Sequence, residues 1–466
     1  MKFRSLVLHG CIIFLMTGSR LSASSFTNWT EYPGNPIYTP YPLSTALYDD
    51  YVPCVLYNAD KFNADGDHVF YKMWHQGSGI ATGTLALSTS NDGIHWTLKG
   101  DTNLVAPPGK DIGHPCVLYD KGGFGGGVYS YKMWFWDGFP DSISDIQYSV
   151  SADGFFWEPP IPITQEESAK LVDGVQGSYF YQTDGPGFVI YNPAATINST
   201  NPYSFPYVMF YDAVAAGYVP ENPEIASIAI AYSQNGKNWE RFGSKPLLMP
   251  SGNGSEWDGF YNSRPTVFKA EGTFHMFYSG SNGNPLTGTY FAHGLGTASS
   301  SDGISWVKDS ANPIFINTDG VSWRTDRTYT PCVLVDPKIF GDPSPAVLKM
   351  WFVGGNQPYT LGQAIGYATL PHPFIPQPPQ NLRGELKRDR NNFILTIKWQ
   401  PSPSAYVVLY NIYEDGHLIQ TTSNKKRKFK GKIHSTKNLR QRFTVTSVTS
   451  DGFESQPARL TKIKKQ

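Results

Sequence analysis

Apolar and polar residues alternate along most of this chain in short runs that end at Gly, Pro, Asn or Asp. A period of two predicts β-strands with one buried face. One unit recurs: a strand that contains Pro, then an aromatic strand, then a third strand. The aromatic strands of the five units are Tyr71–Gly77, Tyr131–Gly138, Tyr207–Ala213, Phe274–Gly280 and Leu348–Gly355.

The first four units each close on a turn of the form Ser-x-Asp/Asn-Gly-x-x-Trp, which ends at Trp96, Trp157, Trp239 and Trp306. Asp-Gly and Asn-Gly are strong hairpin signals because the turn needs positive φ at both central residues. We expect the Trp side chains to pack between units. The fifth unit stops before its turn, but Trp29 precedes Pro36 by the spacing that separates Trp306 from Pro313. The N-terminal segment is therefore predicted to supply the missing outer strand.

These repeats predict an all-β chain with a five-bladed β-propeller over residues 26–373, closed by the N-terminal strand. A stiff Pro-rich linker follows over residues 374–380. Residues 381–466 again read as alternating strands. Their sequence from Pro379-Gln380-Asn381-Leu382 through Trp399 to Tyr410–Tyr413 resembles fibronectin type III domains. That resemblance implies a small β-sandwich.

Charge is divided unevenly between the two predicted domains. The whole chain of 466 residues has 38 basic and 38 acidic side chains, but residues 381–466 hold 18 basic and 6 acidic ones. The run Lys425–Lys430 falls in a predicted hairpin loop. It is either a solvated loop or an electrostatic contact to anionic polysaccharide, lipopolysaccharide or phosphate groups. With 45 Gly, 36 Pro and 15% aromatic residues, the composition excludes a coiled coil and a disordered chain.

The N-terminus reads as a signal peptide over residues 1–23, with Lys2 and Arg4 before an apolar stretch that is too short to span a bilayer. We therefore expect a secreted, periplasmic or extracellular protein with no transmembrane segment. Cys54, Cys116 and Cys332 occupy equivalent repeat positions. They are predicted to be small buried residues, and a three-thiol metal site is the alternative.

The candidate site lies where the Pro-containing strands would meet around the propeller axis. Each unit has a carboxylate shortly before its Pro: Asp50, Asp111, Asp184, Asp258 and Asp326. Like charges gathered around one axis raise one another's pKa, as a general acid requires. The sequence therefore predicts acidic chemistry at one mouth of the channel.

With these residues in place, the chain resembles the five-bladed propeller glycosidases of glycoside hydrolase families 43, 32 and 130. Asp184-Gly185-Pro186 has the shape of their Glu-Gly-Pro motif, with Asp in place of Glu. The resemblance implies Asp184 as general acid, Asp50 as base and Asp111 as the carboxylate that tunes the acid. Val52 stands where the family has its base, directly before Pro.

Further residues are candidates for contacts with a sugar. Arg264 and Arg327 could hold a sugar hydroxyl or carboxylate. His114 and His293 either line the channel or pack ordinarily, and Trp74 and Trp136 are either stacking platforms or core residues.

Two functions follow from this sequence. The first is a carbohydrate-active enzyme that cleaves a glycosidic bond of an oligo- or polysaccharide with paired carboxylates. The second is a non-catalytic propeller that binds glycan or protein, with an adhesive fibronectin-like module. We expect no cofactor, although the resemblance allows a structural divalent cation in the channel, and no motif indicates nucleic acid as a partner. The turns also resemble the Asp box of sialidases, which usually has one more residue between Asp and Gly.

Overall fold

The computed structural model describes residues 26–39, 52–76, 83–106, 110–138, 144–163, 171–197, 201–219, 222–283, 292–335, 347–355, 363–371, 373–390, 392–450 and 452–465. The predicted signal peptide and Asp50 lie outside these ranges. The described part is nearly all β. Its short helical segments are three 3-10 turns at Asn63–Asp65, Pro202–Ser204 and Ser322–Arg324 and two α-helical turns at Gly123–Gly126 and Leu439–Arg442.

After a short first strand, β1 (Thr30–Glu31), the repeats form successive antiparallel sheets. The first sheet contains β2 (Cys54–Tyr57), β3 (Tyr71–Gln76), β4 (Thr84–Ser90) and β5 (Trp96–Val105). The second contains β6 (Asp111–Tyr119), β7 (Tyr131–Gly138), β8 (Asp145–Ser151) and β9 (Ile161–Pro162).

The third and fourth units join in one nine-stranded sheet through a single parallel pairing of Ala226 with Tyr261. Its strands are β10 (Gln182–Tyr191), β11 (Tyr207–Val219), β12 (Asn222–Ser233), β13 (Trp239–Arg241), β14 (Tyr261–Ala270), β15 (Thr273–Ser281), β16 (His293–Ser300), β17 (Val307–Lys308) and β18 (Phe315–Ile316). The last unit contains β19 (Arg327–Val335), β20 (Val347–Gly355) and β21 (Gln363–Pro371).

The N-terminal segment completes this last sheet, as the repeat comparison predicts. Strand β1 pairs antiparallel with β21, with Thr30 opposite Thr369 and Glu31 opposite Ala368. Arg324, only 1% exposed, links β1 to the last unit. Its Nη2 lies 2.6 Å from Glu31 Oε1 and 2.6 Å from Asp319 Oδ2. The two ends of the repeat region are thus held together by pairing and by a buried ion pair.

Tryptophans connect neighbouring sheets, in agreement with the packing role predicted for the turn Trp residues. The indole nitrogen of Trp134 on β7 donates to the carbonyl oxygen of Gly236, in a turn of the next unit (2.8 Å). The turn residue Trp239 meets the Trp134 ring edge to face at 5.9 Å, and both are fully buried. Burial of such large aromatic surfaces is a main source of packing energy in this arrangement.

The residue that follows Pro forms hydrogen bonds between inner strands, which link β2 to β6, β19 to β2 and β14 to β19. Cys54 Sγ accepts from the Val117 backbone N–H (3.2 Å), and Cys332 Sγ accepts from that of Val55 (3.3 Å). Thr266 Oγ1 donates to the Pro331 carbonyl oxygen (2.6 Å). Cys54, Cys116 and Cys332 are free thiols, and burial raises the pKa of Cys116 to about 12. The prediction of small buried residues is confirmed for Cys116, whereas Cys54 and Cys332 are only partly buried.

The C-terminal part contains two four-stranded sheets around a separate core. Its strands are β22 (Gln380–Asp389), β23 (Asn392–Gln400), β24 (Val407–Glu414), β25 (His417–Ser423), β26 (Lys428–Ile433), β27 (Phe443–Thr449), β28 (Ala458–Arg459) and β29 (Lys462–Lys465). One sheet has the order β26-β23-β22-β29 and the other β25-β24-β27-β28. The expectation that the run Lys425–Lys430 is a loop is wrong in part, because β26 begins at Lys428. Since Phe429 and Ile433 on that strand contribute to the buried core, the basic segment is recruited into the sheet.

Candidate functional site at the mouth of the central channel

The Pro-containing strands of all the repeat units meet at one cavity. Pro53, Pro115, Pro186, Pro265 and Pro331 line a space of about 140 Å³. Most of the other lining residues are apolar, including the Cys and Val residues that follow the prolines. The cavity marks the central channel of a propeller-type arrangement, and ligands of such folds bind in concave sites of this kind.

The backbone at the residue before Pro is left-handed in several units. His114 has φ 53°, Arg264 φ 52° and Thr330 φ 53°, and Gly185 has φ 106°. The pairing register shifts at each of these positions. Such bulges re-aim a side chain, and strained backbone of this kind clusters at functional sites. His114 and Arg264 are thereby turned toward the third unit.

Arg264 joins two carboxylates of that third unit. Its Nη1 donates to the Asp184 carbonyl oxygen (2.6 Å) and makes a short ion pair with Asp212, and its Nη2 lies 3.3 Å from Asp184 Oδ2. The Arg264 backbone N–H also donates to Asp212 Oδ1 (2.9 Å). The Asp212 side chain is completely buried, whereas that of Asp184 is 42% exposed. Asp184 can therefore reach a ligand, and Asp212 anchors the arginine.

His114 completes the cluster from the second unit. Its Nδ1 lies 2.6 Å from the Asp184 carbonyl oxygen and its Nε2 lies 3.0 Å from Arg264 Nη2. A carbonyl can only accept and a guanidinium can only donate, so these contacts fit the tautomer with the proton on Nδ1. The ring stacks on Trp136 with centroids 5.3 Å apart. Gly185 also packs closely against Trp136, because a Cβ added at Gly185 would lie 2.8 Å from Trp136 Cβ.

Burial controls the electrostatics of this cluster. It raises the pKa of Asp212 to about 6, with the Asp184 carboxylate acting in the same direction and the Arg264 guanidinium in the opposite one. The ion pair with Arg264 therefore offsets only part of the desolvation of Asp212.

Asp111 begins the inner strand of the second unit and is partly buried. Its Oδ1 accepts from the Ile112 backbone N–H (2.8 Å), and its Oδ2 lies 3.5 Å from Gln76 Nε2. Asp111 stands three residues before His114 on the same strand, and its contact with Gln76 reaches the first unit.

The remaining candidates lie elsewhere. Asp258 is buried and bonds Tyr278 (3.0 Å) and Lys308 on the outer strand β17 (2.7 Å), so its carboxylate serves a structural ion pair. Trp74 has no exposed surface and donates to the Gly154 carbonyl oxygen (2.7 Å). Trp74 is therefore a core residue, because a stacking platform would need an exposed ring. Trp136 is 6% exposed.

A second group forms at the start of β19. His293 stacks on Tyr329 with centroids 5.5 Å apart, and the Arg327 guanidinium lies 5.9 Å from the same ring. Arg327 Nε lies 3.5 Å from Asp326 Oδ2. The structure thus brings His293 and Arg327 together around Tyr329, with Asp326 beside Arg327.

The sequence did not single out Asp212, although its position carries a signal. It is the sixth residue of the recurring aromatic strand, where the other units have Gln76, Trp136, Ser279 and Val353. Ser279 Oγ accepts from the Thr330 backbone N–H (2.7 Å), just as Asp212 accepts from that of Arg264. In these two units, this repeat position supports the left-handed residue of the following inner strand.

Within the described ranges, no group of three or more His, Cys, Asp or Glu side chains is arranged to hold a metal ion. The same residues include no helix with the length and apolarity needed to cross a membrane.

Two curated relatives match parts of the chain. It is 22% identical over 313 residues to the A type blood N-acetyl-alpha-D-galactosamine deacetylase of Flavonifractor plautii, a match that covers 56% of this chain and 35% of the relative. It is 29% identical over 136 residues to an uncharacterized protein of Mycobacterium tuberculosis, covering 29% of this chain and 40% of that protein. The chain therefore spans well under half the length of these relatives. No protein-family model matches it.

Similar solved structures include a glycoside hydrolase with a TM-score of 0.49 and 18% identity, over 68% of this chain and 86% of the other. A thermostable family-43 glycoside hydrolase has a TM-score of 0.44 and 18% identity, over 76% and 96%. The F. plautii N-acetylgalactosamine deacetylase in complex with blood group B trisaccharide has a TM-score of 0.48 and 15% identity, over 73% and 95%.

Proposed function

We propose that this chain is a carbohydrate-active protein that hydrolyses a glycosidic bond at the mouth of its central channel. The observation that carries the proposal is the pairing of an exposed carboxylate with a buried support. Asp184 presents its side chain to solvent, while Arg264 contacts both its carboxylate and its carbonyl oxygen and His114 contacts the carbonyl oxygen. Asp212 in turn holds Arg264. Such preorganisation is what a catalytic carboxylate needs.

We infer an architecture of five blades closed by the N-terminal strand, followed by a fibronectin type III-like sandwich. The five recurring units and the pairing of β1 with β21 support the first part. The two-sheet arrangement of β22 to β29 supports the second. The signal peptide proposed for residues 1–23 would export the protein to a compartment where it meets polysaccharides.

The chemistry proposed uses two carboxyl groups on either side of the bond that breaks. Asp184 delivers its proton to the leaving oxygen, while Asp50 takes a proton from the water that attacks the anomeric carbon. Asp111 acts on the acid through the charge that it places on the adjacent strand. Arg264 is a positioning residue, because its guanidinium already bonds Asp184, Asp212 and His114 and is 9% exposed.

A second candidate is glycan binding without turnover. It is favoured by the contact between Arg264 Nη2 and Asp184 Oδ2 at 3.3 Å. A salt-bridged carboxylate is well suited to accept hydrogen bonds from sugar hydroxyls, whereas a general acid must begin the reaction protonated.

A panel of aryl arabinosides, xylosides, fructosides and mannosides tests the proposal with wild-type protein, Asp184→Asn and Asp60→Asn. Asp60 is a matched control because its carboxylate is 66% exposed and pairs with surface Lys121. We expect turnover of at least one substrate, a loss of roughly 10²- to 10⁴-fold in kcat for Asp184→Asn, and unchanged kcat for the control. Turnover that survives Asp184→Asn contradicts the assignment of the acid. Binding on a glycan array without any turnover supports the second candidate instead.

A further inference from the structure

The sheet β26-β23-β22-β29 of the C-terminal part has one apolar and one cationic face. Leu382, Leu395, Ile397 and Phe429 point inward and are buried in the core between the two sheets. Because side chains alternate along a strand, their neighbours point to solvent on the outer face. The residues of that outer face include lysines on each of the four strands.

The strand register places these cations in rows across the sheet. The first row runs Lys462, Arg383, Lys398, Lys428, so each strand contributes one cation. The second row runs Lys464, Glu385, Thr396, Lys430, and the third runs Lys387, Ile394, Lys432. Residues in one row lie about 5 Å apart, and rows follow one another about every 7 Å along a strand. Eight cations and one carboxylate thus share one face of the sheet.

The lone carboxylate of these rows is surrounded by lysines. Glu385 bonds Lys398 (2.9 Å), and this hydrogen bond lowers its pKa, with smaller contributions from the charges of Lys428 and Lys464. At the end of β24 in the opposite sheet, Glu414 and the following residue Asp415 both pair with Arg442. Of the 18 basic and 6 acidic side chains of residues 381–466, eight basic and one acidic therefore lie on the outer face of one sheet.

Like charges directly opposite one another across strands destabilise a sheet. A row of four cations is consequently a cost to folding that a bound polyanion would remove. The surface suits one kind of polyanion better than others. Seven of its eight cations are Lys, a point charge, whereas Arg is the usual fork for phosphate. The three rows contain no aromatic side chain for stacking on bases or for insertion at a bilayer interface.

We propose that the outer face of the sheet β26-β23-β22-β29 binds an acidic polysaccharide through rows of lysines that meet its carboxylate or sulfate groups. This contact is independent of catalysis at the channel, since it lies in the other predicted domain. It would hold the protein on a charged polymer while the channel meets its own substrate.

Binding of the full chain to immobilised polygalacturonate and to dextran sulfate tests the proposal, with neutral dextran as the reference polymer. The main variant is Lys428→Gln with Lys430→Gln and Lys432→Gln, all on the edge strand β26. A matched variant removes three exposed lysines of the propeller-type part: Lys121→Gln, Lys237→Gln and Lys245→Gln. Thermal unfolding of each variant shows that it is folded. Should the β26 variant not fold, Lys462→Gln with Lys464→Gln removes two cations from the opposite edge.

We expect one or both acidic polymers to bind and dextran not to bind. Affinity should fall steeply as NaCl rises from about 0.05 M to about 0.5 M, because salt screens such contacts. The β26 variant should bind roughly 100-fold more weakly and the matched variant as well as wild type. The proposal is overturned if neither acidic polymer binds, or if the two variants lose affinity equally. It is likewise overturned if duplex DNA or phosphatidylserine vesicles bind more tightly than both polymers.

Discussion

At the channel mouth, Asp184 faces solvent, and the buried residues Arg264 and His114 hold it in place. Arg264 receives its orientation from Asp212, which bonds both its side chain and its backbone N–H. Asp212 is completely buried and cannot touch a substrate itself. Its contribution must therefore be transmitted through Arg264 to Asp184.

We predict that Asp212→Asn weakens both stability and activity. The amide keeps an oxygen for one hydrogen bond but leaves the buried guanidinium of Arg264 with an incomplete charge balance, at a cost of about 3 kcal/mol. Unfolding in urea gives the stability, and initial rates on a substrate of the wild type separate kcat from KM. A purely structural role for Asp212 would leave kcat and KM of the folded fraction unchanged, and that result would contradict the positioning role.

Buried histidines make the fold sensitive to acid. Burial lowers the pKa of His275 to about 4, and its ring packs against Phe26 (5.2 Å) and Phe374 (5.0 Å). The unfolded chain takes up the proton near pH 6.5 and the folded chain only near pH 4. The stability contributed by neutral His275 is thus present above pH 6.5 and is lost as pH falls toward 4.

We predict that His275→Phe reduces this acid sensitivity. Between pH 6.5 and pH 4.5 the wild type should lose about 1.4 kcal/mol per pH unit through this residue, and the variant should lack that part of the slope. Urea unfolding at several pH values measures it. His75, whose pKa burial also lowers to about 4, remains in the variant and keeps some slope. Equal slopes in the two proteins would show that His275 is not protected from protonation.

Among the secondary structure elements, β1 carries the closure of the repeat region. It pairs with β21 over only two residue positions, Thr30 and Glu31. Such a short pairing needs further support. Arg324 supplies it, since its guanidinium also donates to the Ile316 carbonyl oxygen (2.8 Å).

We predict that Arg324→Ala destabilises the protein by about 3 kcal/mol, because it removes the buried partner of Glu31 and Asp319. Arg388→Ala, an exposed arginine on β22, is the control and should change stability by less than about 0.5 kcal/mol. Thermal and urea unfolding compare the two. An Arg324→Ala protein as stable as its control would mean that Arg324 is not needed to hold the N-terminal segment, which Asn35 also fastens to Tyr367 (3.0 Å).

The sequence predicted those elements whose signals are local. The turns that contain Asp-Gly or Asn-Gly, the aromatic strands and the N-terminal strand β1 follow from repeated spacing. The expectation of positive φ at both central residues of these turns is wrong, because only their glycines, Gly93, Gly154, Gly236 and Gly303, have positive φ. The link between Arg264 and Asp212 was not predictable in this way, because the two residues are 52 positions apart and belong to different units. The start of β26 at Lys428 was missed because its lysines hide the alternation that Phe429 and Ile433 provide.

Across the whole molecule, the Pro-rich segment is more than a spacer. Phe374 is 2% exposed and contacts Phe268 (6.0 Å) in the repeat region and Phe453 (6.3 Å) in the C-terminal part. Gln377 donates its backbone N–H to Ser404 Oγ (2.8 Å). The linker is therefore packed against both of its neighbours.

We predict that Phe374→Ala exposes this segment to protease. Loss of the buried ring removes the shared contact of the two parts, and cleavage within residues 373–380 should become faster than in wild type. Phe156→Ala, whose ring is 67% exposed, is the matched control. Mass spectrometry of the fragments locates the cut. Equal cleavage rates for both variants would argue that the linker is already open.

The proposed function rests on where a sugar binds. The measurement that addresses it most directly is a crystal structure of the protein with an oligosaccharide selected from a glycan array. We predict that the sugar lies at the channel mouth, with a hydroxyl or glycosidic oxygen within hydrogen-bond distance of Asp184 and with Arg264 still paired to Asp212. A sugar bound on an outer face of the repeat region, with the channel mouth empty, would contradict the account.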